Sequence, residues 1–70
     1  MINEIGTRIS EIRKSKGMFQ TELAEKTGLS QNHISRIENN QYVPRLDIAK
    51  RIADALDCKV DDFLVYFSYR

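Results

Sequence analysis

Apolar residues return along this chain at the helical interval. Between Asn3 and Lys16, Ile5, Ile9 and Ile12 stand at i, i+4 and i+7, the spacing that gathers side chains on one face of an α-helix. Asn3 is expected to cap this helix and Gly17 to stop it by turning left-handed. The next stretch, Gln20 to Lys26, sets Leu23 and Ala24 between Glu22 and Glu25, and Thr27 and Gly28 close it. Leu29 is expected to point inward, and Ser30 to cap a third helix from Gln31 to about Asn39 with Ile34 and Ile37 inside. Asn40 to Arg45 reads as a loop in which Pro44 holds Val43 extended. Leu46, Ala49, Ile52, Ala53 and Leu56 then share one face of a fourth helix, closed by Asp57 and Cys58. Val60 to Leu64 predicts a short fifth helix with Asp61 and Asp62 in its first turn, where the helix dipole favours acids. The pattern predicts an all-α chain of five helices and no sheet.

The third helix is the odd one. It gives only Ile34 and Ile37 to a core, while Gln31, Asn32, His33, Ser35 and Arg36 point elsewhere. In an isolated helix that would be an ordinary solvated face. A helix that reads base edges, however, needs polar side chains near its N-terminus, a preceding helix lying across the backbone, and a tight turn between the two. The segment from Gln20 to Glu38 offers Ala24 as a small crossing residue, Gly28 as the turn, and Leu23, Leu29, Ile34 and Ile37 as inward residues.

That segment resembles the helix-turn-helix family of phage Cro and repressor proteins, the XRE type. The family signature runs here from Met18 to Pro44, with Gln20, Leu23, Ala24, Gly28, Ser30, Ile34, Glu38, Asn39 and Pro44 at its spacing. The resemblance implies a lambda-repressor-like DNA-binding domain over residues 1–64, with the helix-turn-helix at helices 2 and 3. It implies that Gln31, Asn32 and Arg36 reach bases, with His33 and Ser35 as secondary candidates. An amide pairs bidentately with adenine, and Arg36 suits guanine or a phosphate. By the same resemblance Gln20 meets a phosphate at a helix start already suited to anions, and Asn39 and Arg45 clamp the backbone. Arg13 and Glu38 fall where many relatives form an ion pair; Arg13 would then either turn spare donors to a phosphate or act as a structural bridge, the favoured reading. The chain departs from the pattern twice. Phe19 replaces the usual Ser or Thr cap and is expected to staple onto Leu23, and Asn40 replaces a common glycine.

Composition narrows the classes. A 70-residue chain makes one domain at most and lies near the lower limit for folding without help. Its 41% apolar and 30% charged residues are those of a globular chain. The single cysteine, Cys58, can form neither an internal disulfide nor a metal knuckle, which favours a reducing compartment. With no membrane-length apolar run and no signal-like N-terminus, a cytoplasmic location without membrane contact is the expectation. One His, one Cys and no phosphate-binding glycine loop argue against an enzyme, a metal site or any cofactor.

Net charge is only +1, with seven Lys/Arg against five Asp/Glu in residues 1–45 and four against five beyond. Phosphate affinity grows with the charges neutralised, so a single copy should hold DNA weakly and a dimer better. Four of six aromatics, Phe63, Tyr66, Phe67 and Tyr69, crowd the last eight residues. Phe63, Tyr66 and Phe67 would share a helix face; alternatively Val65, Phe67 and Tyr69 alternate as a strand. Residues 65–70 are expected to serve as the contact of a two-fold homodimer, through Val65, Tyr66, Phe67 and Tyr69, in preference to folding back onto their own domain. The principal expectation is a sequence-specific regulator on a palindromic double-stranded operator. Repression by occlusion is the simpler mode, because so short a chain leaves no room for a sensor domain. The alternative is an antitoxin-like interaction module that binds a protein partner through the aromatic C-terminus.

Overall fold

The computed structural model describes residues 5–41 and 43–63. The Asn3 cap, Leu64 and the tail positions Val65, Tyr66, Phe67 and Tyr69 lie outside the described residues. Five helices follow in order: α1 Ile5–Ser15, α2 Gln20–Thr27, α3 Gln31–Glu38, α4 Leu46–Leu56 and α5 Val60–Phe63. Helices α2 and α3 pack on each other, α1 crosses α3, α4 lies against α2, and α5 returns to α1.

Each boundary has a local cause. Gly17 and Gly28 take left-handed backbones at φ 70° and 77°, and the Gly28 N–H donates to the Ala24 carbonyl to finish α2. Ser30 caps α3, its Oγ accepting the His33 N–H at 3.0 Å, a cap that contributes about 1 kcal/mol. Asn40 and Asp57 are left-handed at φ 60° and 57°, a conformation that short polar side chains tolerate. The Asp62 carboxylate accepts the Lys59 N–H at 3.0 Å, so its place in the first turn of α5 is that of a cap.

One residue from every helix or more meets in a single core: Ile5 and Ile9, Leu23 and Ala24, Ile34 and Ile37, Ile52, Ala53 and Leu56, and Phe63. Phe63, grouped by sequence with the aromatic tail, is therefore a core residue. Two expectations fail. Leu46 was expected inward but is 70% exposed, because side chains in a first turn lean back toward the N-terminus and so past the core. Phe19 makes no staple on Leu23: it is 74% exposed and is itself the N-cap, in an extended conformation. A staple joins the residue before the cap to the fourth helical residue. Here that residue is Met18, which does pack against the core.

Helix α1 meets α3 at unusually close range. A Cβ on Gly6 would overlap the Ile37 carbonyl and come within 2.7 Å of Asn40 Oδ1. The Gly6 N–H donates to that Oδ1 at 2.9 Å, and Asn40 Nδ2 donates to Thr7 Oγ1 at 2.8 Å. On the other flank, Arg51 Nη1 of α4 donates to the Thr27 carbonyl at the end of α2, at 3.2 Å.

Candidate nucleic-acid interface

The amphipathic split of α3 builds the candidate surface. Ile34, Ile37 and Glu38 are buried, whereas Gln31, Asn32 and Arg36 are exposed. Residues four apart on a helix are neighbours, so Asn32 and Arg36 share a ridge and Gln31 and Ser35 lie beside it. Ser35 is half-buried and accepts a weak bond from the Asn39 amide at 3.4 Å. His33 is half-buried with its Nε2 covered by protein, which leaves it less of its ring to offer than its sequence position implied.

Beneath this surface lies a hub of three helices. Glu38 Oε2 accepts from Arg13 Nε at 2.6 Å and Oε1 from Arg13 Nη2 at 3.0 Å. Gln20 Nε2 donates to the same Oε1 at 3.0 Å, and Arg13 Nη1 donates to the Met18 carbonyl at 2.7 Å. One carboxylate thus joins α1, α2 and α3. Arg13 and Glu38 are each only 7% exposed, and three of the five guanidinium N–H groups are spent inside the protein. The geometry gives Arg13 a structural place beneath α3, with its guanidinium held inside the protein. Gln20 is different: it is half-buried rather than buried, at the first position of α2, and its amide has given one N–H to Glu38.

Arg45 stands just before α4 with an exposed side chain, 3.6 Å from the also exposed Asp47 carboxylate. Such a pair is worth little in water, so a phosphate can claim the guanidinium at small loss. The sequence reading missed Gly6 and the side-chain role of Asn40, whose contacts join residues more than thirty positions apart. The one sequence signal was Asn40 itself, standing where the family pattern has glycine.

A shallow groove runs beside α1 and α5, lined by Arg8, Ile12, Lys16, Cys58 and Asp62 among others. Burial raises the Cys58 thiol above its ordinary pKa, helped by the nearby Asp62 carboxylate and opposed by Lys16, so the thiol is muted rather than activated. Among the described residues, no group of three His, Cys, Asp or Glu side chains is placed to hold a metal, and no helix is long and apolar enough to cross a membrane.

Known proteins share this fold. A Helix-turn-helix family model matches residues 9–63. SinR of Bacillus subtilis, an HTH-type transcriptional regulator, is 39% identical over 61 residues, which are 86% of this chain and 55% of that protein. The immunity repressor of Bacillus phage phi105 is 39% identical over 56 residues, 80% of this chain and 39% of the repressor. The chain thus spans about half or less of these two relatives. Among solved structures, SinR in complex with DNA superposes with a TM-score of 0.80 at 38% identity, covering 86% of this chain and 97% of that one. The restriction-modification controller C.AhdI of Aeromonas hydrophila gives 0.83 at 30% identity, with 87% and 92% covered. These relatives are regulators, not enzymes. The chain belongs to the XRE-type helix-turn-helix family of DNA-binding transcriptional regulators, in its lambda-repressor-like, all-helical form.

Proposed function

We propose that this chain is a sequence-specific repressor that lays α3 in the major groove, binding a palindromic operator as a homodimer and acting by occlusion. The observation that carries the reading is the division of α3: a fully buried inner face and an outer face of two amides and a guanidinium, all exposed. Gln31 and Asn32 suit adenine and Arg36 suits guanine. Arg36 lies five positions beyond Gln31, about 7.5 Å along the helix axis, so the two ends of the reading face address base pairs roughly two steps apart where the helix follows the duplex. Gln20, Asn39 and Arg45 surround that face as phosphate contacts. The DNA-bound SinR neighbour and the phage immunity repressor support DNA reading and repression respectively.

Selection from a random duplex library at two salt concentrations tests this. An inverted repeat is expected, with half-sites about one helical turn apart. At the recovered site Gln31→Ala and Arg36→Ala should each lose about 1–3 kcal/mol. Arg45→Ala should weaken all duplexes alike and reduce the salt slope by about 1 per protomer. No enrichment at low salt would sink the reading and shift attention to a protein partner at the aromatic C-terminus.

The homodimer is the second part of the proposal. With a net charge of +1, one copy neutralises few phosphates, and two copies double that number. Light scattering should give twice the monomer mass for the full chain and the monomer mass after truncation at Leu64. A truncated chain that stays dimeric would remove Val65, Tyr66, Phe67 and Tyr69 from the interface.

A further inference from the structure

We propose that Asn40 is a positioning residue for DNA reading: its side chain fixes the angle at which α3 leaves the body of the protein. The proposal rests on the reading that α3 lies in the major groove. Its geometry does not depend on that reading.

Asn40 sits just past the end of α3 with φ 60°, a backbone that glycine adopts at least as easily. What asparagine adds is reach. Its Oδ1 accepts the Gly6 N–H of α1 at 2.9 Å. Its Nδ2 donates to Thr7 Oγ1 at 2.8 Å. The end of α3 is therefore fastened to α1 at two places, through Glu38 to Arg13 and through Asn40 to Gly6 and Thr7.

Those anchor points lie seven residues apart on α1, about 10 Å. One fastening is a pivot, while two at that separation fix an angle. Gln31, at the other end of α3, stands seven residues from Glu38 and so about 10 Å from the pivot. A swing of about 10° moves a side chain there by nearly 2 Å over such an arm. Donor to acceptor distances in good hydrogen bonds span only about 0.5 Å, so base contacts are lost first. Of the phosphate contacts, Arg45 sits on another element, while Gln20, bonded to Glu38, and Asn39, one residue beyond it, stand at the pivot, so all three move far less than Gln31. Losing the Asn40 bridge should therefore cut discrimination between sequences far more than overall attraction to DNA.

Three variants test this against the full chain. Asn40→Gly keeps the backbone and deletes the bridge. Asn40→Asp keeps the acceptor for Gly6 and can take a hydrogen bond from the Thr7 hydroxyl in the reverse sense. Thr7→Val removes one arm only, which covers the case of an unstable Asn40→Gly. Binding is measured on the duplex recovered by selection and on a scrambled duplex of equal length, well below the melting transition, with exchange of the Gly6 amide proton followed by NMR.

For Asn40→Gly the ratio of specific to scrambled affinity should fall about tenfold, while scrambled affinity stays within about twofold. Its Gly6 amide should exchange faster. Asn40→Asp should restore both readouts and Thr7→Val should fall between. An unchanged ratio in Asn40→Gly with a deprotected Gly6 amide overturns the positioning role and leaves groove reading intact. A Gly6 amide still protected in Asn40→Gly overturns the bridge itself. A wild-type chain that cannot separate the two duplexes overturns groove reading, and the positioning role with it.

Discussion

Gly6→Ala is expected to lower stability by roughly 3 kcal/mol or more and the melting temperature by about 10–20 °C. Two effects oppose each other at this position. Alanine favours a helix interior over glycine by up to about 1 kcal/mol, which would stabilise α1. The added methyl, however, would overlap the Ile37 carbonyl and press on Asn40 Oδ1, and a backbone carbonyl cannot turn aside as a side-chain tip can. Helices α1 and α3 must part, and the Gly6 to Asn40 hydrogen bond stretches with them. The steric term wins because it disturbs the whole crossing, whereas propensity acts on one residue. Thermal denaturation followed by circular dichroism checks the sign directly; a variant as stable as the parent would show that the crossing is looser than described.

Glu38→Ala should be at least as damaging, losing about 3–5 kcal/mol. The Arg13 and Glu38 side chains are 9% and 4% exposed, so removing the carboxylate leaves a buried guanidinium without its counter-charge and Gln20 without its acceptor. The loss reflects the stranded charge more than the worth of the pair. Accordingly, Arg13→Met combined with Glu38→Leu should recover most of the stability, since apolar groups of similar size replace buried ion pairs with little loss. The double variant should nonetheless bind DNA less well, because Gln20 is no longer oriented. Chemical denaturation of the two variants, beside a binding titration of the double one, separates these contributions. If the double variant is no more stable than Glu38→Ala, the hub holds the helices in a way that apolar packing cannot replace.

The course of the helices was readable because it is written in short intervals. Leu23, Ile34 and Ile37 repeat within a few residues, and Gly28 and Ser30 act on their own neighbours. Leu46 shows the limit of periodicity: it keeps the register of Ala49 and Ile52, yet its place in the first turn tips it out of the core. Phe19 shows the limit of spacing without cap assignment, since the staple position lies one residue earlier, at Met18, which packs against the core. The outward face of α3 was legible, since Gln31, Asn32 and Arg36 follow from the inward pair Ile34 and Ile37. The supports of that face were less so. Glu38 and Arg13 were paired by family resemblance alone. Gly6 gave no signal, for its partner carbonyl belongs to Ile37 and no local pattern links them.

In α3, the side chains that hold the helix in place, Ile34, Ile37 and Glu38, are distinct from those proposed to choose its target, Gln31, Asn32 and Arg36. Exposed substitutions of this kind change stability by only about 0.5 kcal/mol. A duplicated gene could therefore drift from one operator to another through changes at three codons, without passing through a protein that fails to fold. The same separation makes the domain a scaffold for laboratory retargeting, in which libraries at positions 31, 32 and 36 would sample new binding sites while nearly every member remains folded.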